Sequence, residues 1–453
     1  MKVKHPAHPV LFDEAPVMKF HWRVGTASAT GSLSDGYVLG VSGIALATAA
    51  QSVKIDDVWM GLLASATLIG LFFGALIAGR LVDRFGRKPF YGPLMLVFAV
   101  VSLFQFWVEP GWSLFAIRLV LGILLGGDYV ASKALLAEYT PAHWRGRALS
   151  MLGIAWAAGF ASAYVVGLFL RDIPDIGWRL ILISSAVPAV IVFLLRLNIP
   201  ESPRWLVRQG QVERARAIVA EKFGPHVGLP EVASPSRAST VRSRDLFGAR
   251  LLRHTVIACM AYAVGVMPNF ALGTFSPYVL KTLGVHNSFV GALGYNVCVA
   301  IGALLGYLVV DRMGRRVLLF GGFLIAALLL APLTFSTNLD PMVTLVLFAV
   351  FALVIVSTGN VVYVYPAELF PTQLRGQGVG LAVAASRLGS AVTTFLMPVV
   401  VGSYGISVAL GACMVILIVG GIAGFTWGPE TAKQALGESD DSQRTIASAR
   451  SVS

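Results

Sequence analysis

The chain alternates long apolar runs with short polar loops. A bilayer-spanning helix needs about 20 mostly apolar residues. Twelve runs meet that length: 24–50, 58–81, 89–108, 112–138, 148–170, 178–198, 253–282, 287–310, 317–337, 341–369, 374–402 and 404–427. Between the sixth and seventh the chain turns polar, with Glu213-Arg-Ala-Arg-Ala-Ile and a Pro/Ser/Arg-rich stretch at 230–244. That stretch predicts a linker carrying one or two short amphipathic helices. The pattern divides the chain into a segment 1–23, a six-helix bundle 24–199, a linker 200–252, a second bundle 253–428 and a polar tail 429–453. The expected fold is an all-α membrane protein of twelve transmembrane helices in two pseudo-symmetric six-helix bundles.

The loops set the expected orientation. Arg80–Lys88, His143–Arg147, Arg204–Arg253, Asp311–Arg316 and Gln373–Gly376 follow even-numbered runs, and all are basic. Loops after odd-numbered runs, such as Gln51–Asp57 and Arg171–Ile176, carry little positive excess. Basic loops stay in the cytoplasm, so both termini are expected there.

The loops also repeat. Gly79-Arg-Leu-Val-Asp83-Arg-Phe-Gly86-Arg87-Lys is answered by Gly306-Tyr-Leu-Val-Val-Asp311-Arg-Met-Gly314-Arg315-Arg, a shift of 228 residues from Asp83 to Asp311. Ala137-Glu138-Tyr-Thr-Pro141-Ala-His-Trp-Arg145-Gly146 is answered by Ala367-Glu368-Leu-Phe-Pro371-Thr-Gln-Leu-Arg375-Gly376, a shift of 230. A near-constant shift over two unrelated phrases marks a duplicated half.

Composition agrees with this reading. Of 453 residues 56% are hydrophobic and 13% charged, with mean hydropathy +0.76. Soluble domains carry about 25% charged residues. The net charge of +12 invites a nucleic-acid reading, but the basic residues cluster in loops between apolar runs, as orientation requires. Cys259, Cys298 and Cys413 lie in apolar runs without metal-like spacing. The segment Met1 to Arg23 lacks the apolar core and cleavage site of a signal peptide.

Across nearly its whole length the chain resembles the major facilitator superfamily. The phrase Gly-x-x-x-Asp-Arg-x-Gly-Arg-Lys after the second run, echoed after the eighth with one more residue between the glycine and the aspartate, resembles that superfamily's cytoplasmic signature. Arg118-x-x-x-Gly122, Pro200-Glu201-Ser202-Pro203-Arg204-Trp205-Leu206 and Pro366-Ala-Glu368-Leu-Phe-Pro-Thr372 resemble the sugar-porter and organic-ion branch. Ser34-Asp35-Gly36-Tyr37 and Gly126-Gly127-Asp128-Tyr129 are similar to bacterial metabolite:proton and phosphate:proton symporters. The chain departs from them at Val130, where they usually carry proline, and at Lys133, where they are usually uncharged.

Two kinds of charge follow. Asp83, Arg84, Arg87, Glu138 and Arg145, matched by Asp311, Arg312, Arg315, Glu368 and Arg375, fall at cytoplasmic helix ends. The resemblance and the matched halves imply a cytoplasmic gate; the plainer reading is that these charges anchor helix ends. Asp35, Asp128, Lys133 and Arg387 sit inside apolar runs. A charge at a span's centre costs about 2.5–3.5 kcal/mol on insertion scales, so such residues usually face a polar interior. Superfamily architecture implies a water-accessible cavity at the interface of the two repeats.

Asp35 is either a proton carrier or half of a fixed ion pair, with Lys133 or another cation. Asp128 matches the position that handles protons or substrate in the resembled phosphate symporters. It stands five residues from Lys133 on one helix, about 140° around the axis, so the two need partners on other helices. Lys133 is a substrate anchor or a counter-ion. Arg387 points to an anionic substrate, since the organic-ion branch holds arginine there in anion carriers and guanidinium binds carboxylate or phosphate through paired hydrogen bonds. The competing role is pairing with Asp128 or Asp35. Tyr37, Trp156, Tyr262, Asn269, Asn296, Asn360 and Tyr363 complete the candidate substrate residues, against the reading that they are packing and inter-helix glue.

The expected function is proton-coupled symport of a small organic anion, a carboxylate or sugar acid, by alternating access in the inner membrane. The alternatives are a neutral sugar or polyol symporter, then an exporter of metabolites or drugs, then a sensor without flux. No phosphate loop or metal cluster appears in the sequence, so neither enzyme chemistry nor a cofactor is expected. The expected partners are a small-molecule substrate, protons and the lipid bilayer, with no nucleic acid; the chain is expected to be a monomer.

Overall fold

A computed structural model describes residues 10–53, 55–230, 243–248, 251–309, 313–336, 339–370 and 374–431. Twelve helices in it are long and apolar enough to cross a membrane: α1 (Lys19–Ala50), α2 (Asp57–Phe85), α3 (Lys88–Phe106), α4 (Trp112–Tyr139), α5 (Ala142–Leu170), α6 (Gly177–Arg196), α7 (Leu252–Thr274), α8 (Ser288–Val309), α9 (Val317–Phe335), α10 (Pro341–Pro366), α11 (Gln377–Tyr404) and α12 (Ile406–Trp427). Local chemistry marks their ends. The Asp56 carboxylate accepts from the backbone N–H of Trp59 at 2.7 Å and starts α2. Gly86 ends it in the left-handed region, φ 95°, which a side chain there would resist. Asp340 caps α10 through the Met342 N–H at 2.8 Å.

Several boundaries differ from the apolar pattern. The seventh run, 253–282, is two helices, because α7 stops at Thr274 and a short helix Ser276–Thr282 follows. The sequence leads one to expect breaks at both Met267-Pro268 and Pro277-Tyr278; α7 runs through Pro268, so the first does not form, and the break falls at Phe275, ahead of Pro277. Proline suits a helix's first turn, where its missing N–H costs nothing. α6 is interrupted at Ser184 and Ser185, and α9 opens with a π-helical turn, Val317–Gly321.

The structure forms two compact units, Met1–Arg237 and Ala238–Ser453. In the first, α2 lies along α4, α1 along α5 and α3 along α6. In the second, α8 lies along α10, α7 along α11 and α9 along α12. Each pairing recurs six helices later, so the duplication in sequence is a duplication of packing. Small residues make the closest pairings possible. A Cβ on Gly70 would strike the Leu119 carbonyl, and one on Gly122 the Thr67 carbonyl, so α2 and α4 touch backbone to backbone. Large apolar side chains such as Phe73, Leu76 and Ile77 point outward from α2, as lipid contact requires. Trp107 and Trp112, each 72% exposed, stand where α3 ends and α4 begins, in the manner of interfacial aromatics.

The end of each unit where even-numbered helices finish carries the basic loops and is called the basic end below. In the first unit the linker helices Pro203–Arg208 and Val212–Phe223 pack there. The described part of the N-terminal segment packs with them. Phe12 is buried with Phe20, Tyr139 and Phe223, and Val10 lies beside Val227 in a parallel bridge, its N–H donating to the His226 carbonyl and its carbonyl accepting from the Gly228 N–H, each at 2.8 Å.

Candidate functional site

At the basic end of the first unit, Arg87 is 3% exposed although its loop is polar. Its Nη2 donates to Glu138 at 2.8 Å and to Asp83 at 3.0 Å, and its Nη1 to the Val82 carbonyl at 3.0 Å. Glu201 receives the next turn. Its carboxylate accepts the backbone N–H groups of Arg87 (3.1 Å), Lys88 (3.0 Å) and Ser202 (2.8 Å). One arginine and one glutamate thus join the ends of α2, α3, α4 and the linker.

The second unit repeats the device. The Arg315 side chain lies 3.5 Å from Glu368, and Glu430 accepts the N–H groups of Arg315 (2.8 Å) and Arg316 (3.1 Å). Arg315, Glu368 and Glu430 stand 228, 230 and 229 positions after Arg87, Glu138 and Glu201. Glu201 and Glu430 were not among the sequence-derived residues. The signal was present, because Pro200-Glu201-Ser202 is echoed by Pro429-Glu430-Thr431 at the same shift.

The remaining gate candidates go elsewhere. Arg145 donates to Asp13 of the N-terminal segment at 2.6 Å, and Arg204 of the linker donates to the same carboxylate. Arg84 lies 5.3 Å from the centre of the Phe85 ring. Asp311 and Arg312 fall outside the described residues, as do the side chains of Arg375 and Tyr363.

Inside the first unit the dominant feature is an ion pair. Arg196, the last residue of α6, donates through Nη1 and Nη2 to the two carboxylate oxygens of Asp128 on α4, and both side chains are wholly enclosed. Nη2 also donates to Ser132 at 3.2 Å, Nη1 to the Tyr91 carbonyl at 2.5 Å and Nε to the Ala27 carbonyl at 3.4 Å. The guanidinium lies over the Tyr91 ring, 4.1 Å from its centre, and the Tyr91 hydroxyl is bonded to Ser28 at 2.9 Å. Four helices meet at this one side chain. Gly31 on α1 leaves the room for it, because a Cβ there would overlap the guanidinium. Arg196 too escaped the sequence reading, although it stands in the sixth apolar run as Arg387 stands in the eleventh.

Asp35, one turn beyond Gly31 on α1, is 4% exposed. Lys133 holds its ammonium 3.6 Å above the ring of Tyr129, one turn back on α4. Tyr37 bonds Ser184 at 2.7 Å, at the interruption of α6. Trp156 is half-buried on α5 beside Phe160. Arg118 is 3% exposed and meets only neutral groups in its hydrogen bonds: the Leu63 carbonyl at 2.7 Å, Thr67 at 3.1 Å and Ser42.

In the second unit Arg387 is 8% exposed on α11, its guanidinium 5.7 Å from the Phe270 ring centre on α7. Buried Ser386, Ser390 and Thr394 share its helix. Tyr262 is buried on α7, and Asn269 accepts from the Tyr295 hydroxyl at 3.4 Å. Asn296 donates to the Ala292 carbonyl of its own helix at 2.7 Å. Asn360 donates across to the Ala303 carbonyl at 3.1 Å, joining α10 to α8.

A sequence model of the Sugar (and other) transporter family matches residues 18–441. The inner membrane metabolite transport protein YgcS of Escherichia coli is 36% identical over 424 residues, covering 93% of this chain and 94% of that protein. The niacin transporter NiaP of Acinetobacter baylyi is 28% identical over 83% of this chain and 86% of its own. The partially occluded, inward-open xylose transporter XylE of E. coli superposes with a TM-score of 0.76 at 21% identity, over 92% of this chain and 100% of that one.

Proposed function

The chain belongs to the Sugar (and other) transporter family of the major facilitator superfamily, and from that premise we propose that it carries a small organic anion together with a proton. The coarser statement is secure: this is a multi-pass inner-membrane secondary transporter of metabolites or sugars, and its relatives are transporters rather than enzymes. The finer reading rests on Arg387, a guanidinium buried on a membrane-spanning helix with an aromatic ring beside it. Such a pair suits a carboxylate on an apolar or ring-shaped body, since guanidinium matches the carboxylate and the ring packs against the rest. A relative named for niacin, itself an aromatic carboxylic acid, supports the same class. Asp35 is the proton carrier in this reading: a buried carboxylate inside a span is costly when charged and is discharged by a proton. The basic end faces the cytoplasm, its paired Arg–Glu–Glu clusters open and close the inner face, and the two bundles alternate access to the substrate.

The test is uptake into proteoliposomes under an imposed inward proton gradient, with radiolabelled nicotinate, benzoate, gluconate and xylose as probes. Accumulation of a carboxylate above equilibrium, abolished by a protonophore, is the expected result. Accumulation of xylose alone would replace it with the neutral-sugar reading, in which Arg387 serves only internal packing.

A further inference from the structure

We propose that Arg196 holds Asp128 as a fixed charge and so takes it out of the proton path of this carrier. The inference rests on the proton-coupled reading above and narrows it. Asp128 fills the position that handles protons or substrate in the resembled phosphate symporters. In this chain a guanidinium reaches that acid from α6 and changes what it can do.

The donors can be counted. A guanidinium has five N–H groups, and here each has an acceptor. Nη1 serves one Asp128 oxygen and the Tyr91 carbonyl, Nη2 serves the other Asp128 oxygen and Ser132, and Nε serves the Ala27 carbonyl. Both carboxylate oxygens accept, and neither side chain of the pair meets solvent. The Tyr91 ring lies against the guanidinium, and its hydroxyl is bonded to Ser28. Gly31 lets the guanidinium lie against the α1 backbone, where a Cβ would overlap it. A proton on Asp128 would cancel the charge to which this guanidinium is matched, an unfavourable change in a space closed to water.

Asp35 stands one turn beyond Gly31, and Lys133 five residues beyond Asp128. Neither enters the count. The five donors and both oxygens are matched without them.

The place of the pair also keeps it from water as the carrier works. Arg196 is borne by α6, and its acceptors come from α1, α3 and α4, all in the first unit. Alternating access rocks whole bundles against each other and leaves the packing inside one bundle in place. A carboxylate that loads and unloads a proton must meet water in some state. Rocking does not bring water to this one.

The first measurement needs no substrate. Infrared spectra of the full-length protein in nanodiscs, with carboxyl-labelled aspartate to separate Asp from Glu, report protonated aspartate. The range between about pH 5 and 8 is the informative one, because exposed carboxylates are already ionised there. Asp35 and Asp128 are the buried aspartates among the described residues. In Asp35→Asn no protonated-aspartate band is expected in that range, and a band that remains overturns the proposal. In Asp35→Asn/Arg196→Gln the band should appear, since an enclosed carboxylate without its counter-charge takes up a proton. A folded variant that stays without the band also overturns it, because some other cation then holds Asp128.

The second measurement stands if those variants do not fold. Asp128→Leu/Arg196→Met removes both charges and keeps similar volumes, a replacement that buried ion pairs tolerate. The probe is whichever of labelled nicotinate, benzoate, gluconate or xylose wild type accumulates. The double variant should keep the wild-type proportion of gradient-driven accumulation to counterflow. Counterflow without accumulation would mean that the proton passes through Asp128, and the proposal falls. The coupling reading fails separately: if wild type shows no protonophore-sensitive accumulation while the infrared results hold, coupling is wrong and the fixed charge of Asp128 stands.

Discussion

Arg196 and Asp128 face each other from the last turn of α6 and the middle of α4, with neither side chain reachable by solvent. Such a pair is weak evidence for stability, because desolvation offsets much of the attraction. Its value is in fixing where charge sits. The helices that meet at it, α1, α3, α4 and α6, all belong to the first unit, so the pair organises one half of the protein from within.

Asp35→Asn should abolish proton-driven accumulation and leave exchange of labelled for unlabelled substrate intact. Gradient-driven uptake and counterflow, measured on the same proteoliposomes, separate the two. Equal loss of both would mean that Asp35 binds substrate or holds the fold.

Arg387→Lys keeps the charge and removes the planar fork. Carboxylate uptake should fall roughly tenfold or more in kcat/KM, about 1.4 kcal/mol or more. Unchanged uptake would show that the guanidinium never meets the substrate.

Glu201→Gln places an amide NH2 where three backbone N–H groups now find a carboxylate. The expected loss is about 1.5–3 kcal/mol, the worth of hydrogen bonds to a charged group. Thermal unfolding of the purified protein reads it, and Glu430→Gln should behave alike in the second unit. A Tm equal to wild type in both variants would sink the idea that these clamps hold the basic ends.

Gly122→Val forces a branched side chain into the α2–α4 backbone contact against Thr67. Overpacking of this kind costs about 1–3 kcal/mol. A lower Tm and a broader size-exclusion profile are expected, whereas Gly153→Val, where a Cβ meets nothing, should leave both unchanged.

Asp13→Ala removes the acceptor shared by Arg145 and Arg204. The carboxylate is 38% exposed, so the ion pairs themselves contribute about 0–1 kcal/mol after screening. The sensitive readout is limited proteolysis: the linker after Arg208 should be cut faster while Tm barely moves. Equal cutting rates would mean that the apolar contacts of Phe12 alone hold this segment.

The twelve helices, their order and the two-fold design were legible because each leaves a one-dimensional trace. An apolar run must be long enough for the bilayer, and a duplicated half repeats its loop phrases at a constant shift. The candidate site was half legible. Asp35, Asp128 and Arg387 stood out as charges in apolar runs, yet Arg196 in the sixth run went unremarked. Asn360 shows the limit of reading by residue type. An amide in a span suits ligand or neighbouring helix equally, and only its bond to the Ala303 carbonyl shows which group it meets. α7 shows the same limit in the backbone: a break was expected at each of two prolines, but only Pro277, which falls in a first turn, goes with one.

By itself the sequence determined the number of spans, the duplication, the membrane location and the charges in the interior. These follow from hydropathy and spacing, which act locally along the chain. Only the tertiary structure decided the partners. Asp128 meets Arg196 across 68 residues, Arg145 meets Asp13 across 132, and Glu201 meets the Arg87 backbone across 114. Partnership between charges depends on which helix faces pack together and on where a missing Cβ, as at Gly31, leaves room for a guanidinium. Those are distances in space, and no spacing along the chain encodes them.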